Sequence, residues 1–439
     1  MIKELEIENY GSIKKSQKLN FVSGRGTKFK DYIPVIEKVK TKISPISCFM
    51  GPNGAGKTTF LNALSAMKKL VLGTDITLSS VVVPYKLDKE CENQPTKMRI
   101  QFVCSDDSEF ELFFVLSNQK IYEEKLSLKN YSGTKVLYSR KDNQVKSSQQ
   151  LGEERKNIWT VLSANVSSEV LFINNIKLPV MQKAFPWAMQ IFKWFSHLVL
   201  VTPLTKYFPV PVNFIGTKNR EQPIEIQSVL RELGTGLDKI IFKSYPFANL
   251  KASIQDDLKN QLKPGTGVAF SSSSDYFLAN MNKEDGAIQI SRFITSHKDK
   301  DNRDVHFNLS EESDGIRRLI ELGPILLSLF SKDAEPYVFV IDELDRRFHT
   351  LLTRSILALF LRNSSPSSRK QMIFTCHDLL LMTGDILRQD QMYLVKNEDN
   401  GSEFFRINEM KQVRADKDIM KLYLSGGLGG IPRVSKVSL

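Results

Sequence analysis

Cysteine is scarce: Cys48, Cys91, Cys104 and Cys376 are the whole complement of a 439-residue chain. None stands at C-x-x-C spacing, which argues against a disulfide frame or a zinc site and fits core thiols in a reducing cytosol. Long hydrophobic runs are missing too. The most apolar stretch, residues 185–204, is interrupted by Lys193 and His197. A core helix followed by the strand Leu198-Val-Leu-Val201 accounts for it better than a membrane span. The opening Met1-Ile-Lys-Glu-Leu-Glu-Ile is charged and strand-like, unlike a secretory leader. Sustained heptads and internal repeats are absent, so a long coiled coil is not expected. These absences predict a cytoplasmic protein with no membrane partner.

Positive charge, by contrast, is plentiful. Lysine and arginine number 61 against 49 acidic residues, a net charge of +12. That excess favours polyanionic partners, nucleic acid among them, although the solvated surface of a nucleotide-handling enzyme would look the same.

The most informative stretch is Gly51-Pro-Asn53-Gly54-Ala-Gly56-Lys57-Thr58-Thr59. It fits G-x-x-x-x-G-K-[ST], a loop whose glycines let successive backbone N–H groups converge on phosphate oxygens. Lys57 supplies a point charge to the terminal phosphates, and the Thr58 hydroxyl is suited to Mg²⁺. Ile46-Ser-Cys-Phe-Met50 reads as a buried strand running into the loop. Phe60, Leu61, Leu64 and Met67 fall on one face of the helix that leaves it.

Further motifs lie far along the chain. Tyr337-Val-Phe-Val-Ile341 is an apolar strand ending in Asp342 and Glu343, the pattern of a Walker B strand. Asp342 would orient the metal, and Glu343 would act as general base or orienting group for the attacking water. Thr375-Cys-His377-Asp378 ends the next apolar strand, where His377 could sense a γ-phosphate. In Leu309-Ser-Glu-Glu-Ser313-Asp-Gly315 a hydroxyl and backbone N–H groups would stand at a helix N-terminus, an anion site.

Between these ends the pattern changes. Residues 98–104 and 110–116 read as a hairpin continued by residues 120–126 and 136–139. Residues 159–263 read as mainly helical, with 180–195 and 224–242 the better candidates and 265–276 a flexible connection. The expected fold is α/β: an ABC-type P-loop ATPase head with an antiparallel β lobe and a large, mainly helical insertion. Residues 1–75 and 300–410 would form the core, 76–140 the lobe, 141–299 the insertion and 411–439 a basic tail.

The order of P-loop, long insert, Ser-Asp-Gly signature, Walker B strand, D-loop and histidine switch resembles ABC-type ATPases of the RecF/SMC/OLD class. Glu312-Ser-Asp-Gly-Ile-Arg-Arg-Leu319, Ile341-Asp-Glu-Leu-Asp-Arg346, Phe374-Thr-Cys-His-Asp378 and Tyr423-Leu-Ser-Gly-Gly-Leu-Gly-Gly-Ile-Pro432 look like the RloA-like branch, the AAA-fifteen subfamily. The resemblance covers both ends well and the insert loosely. It implies a prokaryotic defence-associated ATPase using ATP and Mg²⁺, at least dimeric through composite sites, that works with a separate effector such as a nuclease. A DNA-repair or chromosome-maintenance ATPase that clamps DNA directly is the alternative.

Carried over residue by residue, Asn53, Gly54, Gly56, Lys57, Thr58 and Thr59 bind nucleotide, and Thr58 and Asp342 hold the metal. Glu343 and His377 are catalytic, Ser313 and Gly315 are signature contacts to another protomer's γ-phosphate, and Asp345 is the D-loop residue. Glu311 or Asp314 stands where transporter-type signatures have glycine. Gln101 is the candidate Q-loop glutamine and Tyr10 the candidate adenine-stacking aromatic.

Overall fold

The computed structural model describes all residues except 27, 75–76, 149–150, 204, 211–231, 235, 273–274, 324, 327–336, 399–400, 415–417 and 432–439. The chain forms two compact units. The first comprises residues 1–200, 334–344 and 364–439, and the second residues 201–333 and 345–363.

The first unit is built on two sheets. One is six-stranded, in the order Leu198–Val201, Val338–Ile341, Gln371–Cys376, Ile46–Met50, Met392–Glu398, Gly401–Arg406. From Val338–Ile341 to Met392–Glu398 its neighbours run parallel. Every residue of Ile46–Met50, Val338–Ile341 and Gln371–Cys376 is buried, as continuous apolar runs in a parallel sheet require. The helix Lys57–Leu72 follows the P-loop strand and buries Phe60, Leu61, Leu64 and Met67. The other sheet is a seven-stranded antiparallel lobe, with Thr96–Val103 and Glu109–Leu116 paired as the expected hairpin. The opening strand Ile2–Glu8 joins this lobe, pairing with Thr96–Val103. Helices Glu153–Ala164 and Pro186–Ser196 cover it, with Trp194 against Phe102 at 4.4 Å between ring centroids.

The second unit departs from the helical expectation. Its main feature is an antiparallel sheet in the order Tyr207–Val210, Gly267–Ser272, Asp275–Met281, Ile288–Lys298, Lys239–Tyr245, with Asp304–Asn308 on Ile288–Lys298. The described end of the expected helix at 224–242 is therefore strand, and residues 224–231 lie outside the described part. The expected flexible connection at 265–276 lies instead largely in paired strands, Gly267–Ser272 against Asp275–Met281, with Phe270 opposite Phe277. The reason is tertiary. Ile240, Ile241 and Phe242 pair with Thr295, Ile294 and Phe293, partners some fifty positions away that no local window sees. No helix among the described residues is long and apolar enough to cross a membrane.

Candidate functional site

The phosphate loop sits at the C-terminal edge of the parallel sheet, where ligands bind in open α/β folds. Gly56 precedes the helix in a left-handed conformation, φ 98°. A Cβ there would lie 2.0 Å from Ser402 Oγ and 2.5 Å from Ser12 Oγ, so only glycine fits. Those hydroxyls form a chain: Ser402 donates to Ser12 at 2.7 Å, and Ser12 meets Thr59 Oγ1 at 2.7 Å. Thr59 is thus tied through Ser12 to Ser402, whereas Thr58 has a different partner. The Lys57 ammonium donates to the carbonyls of Gly51 (2.8 Å) and Pro52 (3.0 Å), capping the loop from within. Asn53, Gly54 and Thr58 are exposed, whereas Lys57 is buried.

The Walker B carboxylate meets the P-loop directly. Thr58 Oγ1 donates to Asp342 Oδ2 at 3.0 Å, joining residues 284 positions apart. Thr375 Oγ1 donates to the other oxygen, Oδ1, at 2.7 Å and accepts from the Glu343 backbone N–H, also at 2.7 Å. This follows from strand order: Gln371–Cys376 lies between the P-loop strand and the Walker B strand. A hydroxyl near its C-terminal end reaches Asp342 and the Glu343 backbone at the end of the neighbouring Walker B strand. Glu343 adopts a left-handed conformation, φ 51°, which a non-glycine residue holds only where its surroundings impose it. Its backbone hydrogen bond to Thr375 is part of that restraint. In the sequence Thr375 looks like one more residue of a buried strand; its place two residues before His377 on the strand after Walker B is the available signal.

His377 is exposed one residue beyond that strand. It lines a cleft of about 1220 Å³ together with Gly51, Asn53, Gly54, Lys396, Tyr423 and Ile431. Among the described residues no group of three or more His, Cys, Asp or Glu gathers as a metal site. A Mg²⁺ here would therefore depend on Thr58 and Asp342, with phosphate oxygens and water completing the shell, as this ion prefers.

Ser313, Gly315 and Asp345, the residues the sequence offers as a signature and a D-loop, lie in the second unit. Ser313 caps the helix Asp314–Glu321, its hydroxyl accepting from Ile316 N–H at 3.3 Å. The preceding Glu312 is buried and held by Thr295 Oγ1 and by His297 Nε2, the latter at 2.7 Å. Gly315 lies close to the D-loop backbone, since a Cβ would come 3.2 Å from the Arg347 carbonyl oxygen. Asp314 Oδ1 is 3.7 Å from both Arg347 and Arg317 guanidinium nitrogens. Asp345 accepts at its carbonyl from Phe348 N–H at 3.0 Å.

Two weaker sequence candidates fall away. Gln101 is buried in the lobe and donates to Glu111 at 2.7 Å, a structural bond within the sheet rather than a Q-loop contact. Tyr10 is also buried, and burial pushes its phenol up to about 12, so its ring is not offered to a base. On the P-loop helix, burial lowers the Lys68 ammonium to about 8 while it donates to the Leu198 carbonyl at 2.6 Å.

Two family models match stretches of the chain. A family model described as an AAA ATPase domain matches residues 1–186. A second, described as an AAA domain, putative AbiEii toxin of a type IV toxin–antitoxin system, matches residues 206–383. No curated protein matches the sequence. Among solved structures the chain is similar to the SMC head domain from Thermotoga maritima, at 12% identity and a TM-score of 0.38, covering 92% of this chain and 98% of that one. It is also similar to an SMC head bound to the C-terminal winged-helix domain of ScpA (13%, TM-score 0.40, 92% and 97%). A third is the recombination mediator RecF with ATPrS (14%, TM-score 0.37, 92% and 98%). The chain has an α/β fold, with a P-loop at the C-terminal edge of its mainly parallel sheet and a separate antiparallel lobe, and AAA ATPase domain models match it over residues 1–186 and 206–383.

Proposed function

We propose that this chain binds and hydrolyses ATP as the nucleotide-dependent subunit of a prokaryotic defence complex of the RecF/SMC/OLD class. One observation carries the ATPase reading: Thr58, Asp342, Thr375 and the Glu343 backbone form one hydrogen-bonded group at the sheet edge. In the proposed cycle the P-loop amides and Lys57 hold the phosphate chain. Thr58 and Asp342 would hold a Mg²⁺, which would supply charge neutralisation for the phosphate chain. Glu343 orients the attacking water, and His377 contacts the γ-phosphate. Ser313 and Gly315 approach that phosphate from a second protomer, so hydrolysis follows assembly. Glu343→Gln should keep ATP binding, accumulate the ATP-bound oligomer and lose turnover; wild-type turnover in that variant would remove Glu343 from its role.

The defence setting is supported by the RloA-like motifs and by a family model whose description names a toxin of a type IV toxin–antitoxin system. The output would be control of a separate effector, a nuclease being the class the resemblance favours. Co-purification from native cells, together with infection of a deletion strain, tests this; the absence of any co-purifying effector together with an unchanged infection outcome would count against it.

The excess of 61 basic over 49 acidic residues favours a second reading, an ATPase that clamps DNA directly. It predicts salt-dependent DNA binding that is lost on reversing Lys411, Arg414, Lys417 and Lys421 together. Unchanged DNA affinity in that variant would dispose of this route.

A further inference from the structure

Lys396 has no assigned role, yet it stands beside the phosphate loop. The strand Met392–Glu398 pairs in parallel with the P-loop strand, Leu394 opposite Met50. Continuing that register two residues brings Lys396 level with Pro52, at the sheet edge where the loop begins. The next residue, Asn397, donates its side-chain amide to the Gly54 carbonyl at 3.1 Å, fastening the strand end to the loop.

The lysine is held rather than splayed into solvent. Its ammonium lies over the Phe405 ring, 4.6 Å from the centroid, a favourable cation–π distance. On the other side runs the glycine-rich segment after the helix Ile419–Leu424. Gly429 is left-handed, φ 70°, and a Cβ there would come 2.8 Å from Lys396 Nζ; one on Gly430 would come 3.2 Å from its Cγ. The Tyr423 hydroxyl donates to the Gly430 carbonyl at 2.9 Å and closes the turn. Among the described residues Lys396 has no carboxylate within ion-pair distance, whereas Lys3, Lys18, Lys97 and Lys129 of the neighbouring lobe each have one. Lys396 lines the same cleft as Asn53, Gly54 and His377.

We propose that Lys396 is a second cation of the nucleotide cleft, positioned by the glycine-rich segment 423–431 to contact the terminal phosphate of a bound nucleoside triphosphate. This rests on the nucleotide-binding reading above. The segment is then a wall of the site: Phe405 fixes the lysine from one side, and the missing side chains at Gly429 and Gly430 leave room for it on the other. A cation added at the terminal phosphate favours triphosphate over diphosphate.

Equilibrium binding of ATP and ADP to the full chain tests this, with wild type, Lys396→Met, Lys396→Gln and Lys57→Ala measured together and folding checked by thermal midpoint. Lys396→Met should weaken ATP about tenfold and ADP by less than about twofold, with Lys396→Gln behaving alike. Equal loss of ATP and ADP, or wild-type ATP affinity in whichever of the two variants folds, would overturn the proposal. Normal ATP binding by Lys57→Ala would overturn the P-loop reading beneath it, and is distinguishable because Lys57→Ala should lose both nucleotides.

Discussion

The two halves of the proposed catalytic site are built in different ways. The P-loop half is closed within the first unit: Asp342 accepts from Thr58 and Thr375, and Thr59 joins a chain of hydroxyls through Ser12 and Ser402. The signature half, in the second unit, is anchored from behind and open in front. Glu312 is buried and clamped by Thr295 and His297, whereas the next two residues, Ser313 and Asp314, are exposed. The P-loop half resembles a nucleotide receptor fixed in advance. The signature half resembles a docking element, rigid at its root and presenting a helix N-terminus outward. That contrast is the physical basis for proposing that the second half acts on another protomer's nucleotide.

Breaking the P-loop half should have the largest effect. Lys57→Ala removes the loop's own cation and should weaken ATP about a hundredfold or more, read by equilibrium binding. Wild-type affinity would mean that nucleotide binds elsewhere. Next, Ser313→Arg should leave ATP affinity within about twofold but lower turnover about a hundredfold, because a bulky cation replaces the hydroxyl at the signature helix. Loss of binding with turnover would instead put Ser313 on its own protomer's site.

Thr375→Val sharpens the comparison inside the P-loop half. It leaves Asp342 Oδ1 and the Glu343 N–H without their shared hydroxyl, so turnover should fall about tenfold and stability by about 1–3 kcal/mol. Unchanged kinetics would make Thr375 a packing residue only.

The smallest expected effect is a pH dependence. Lys68, lowered to about 8 by burial, binds its proton less well folded than unfolded. Its contribution is therefore unfavourable below about 8, and stability should rise as pH goes from about 8 towards the unfolded lysine value. Chemical denaturation should show that rise, on the order of 1 kcal/mol, and Lys68→Met should flatten it. An identical slope in the variant would assign the trend to other groups.

Much of the P-loop half was legible because its signals are local. The strand Ile46–Met50 and the helix Lys57–Leu72 declare themselves by an apolar run and a one-face pattern around a glycine-rich loop. The carboxylates Asp342 and Glu343 stand at the end of an equally plain strand. What could not be read was lateral. Ser12 and Ser402 pack on Gly56 from opposite ends of the chain, and Thr375 bridges Asp342 and Glu343 only because its strand is inserted between two others. Likewise Lys239–Tyr245 became strand through pairing with Ile288–Lys298, a contact that helix-like periodicity cannot anticipate. Gln101 failed as a functional candidate for the same reason, since its partner Glu111 lies across a hairpin.

The claim that the signature half serves another protomer is tested most directly by mixing two inactive variants. Lys57→Ala and Ser313→Arg should each be inactive alone. In a mixed dimer the intact P-loop of one faces the intact signature of the other, so an equal mixture should regain about a quarter of wild-type turnover. No recovery, with exchange of protomers verified by labelled subunits, would contradict a site shared between chains.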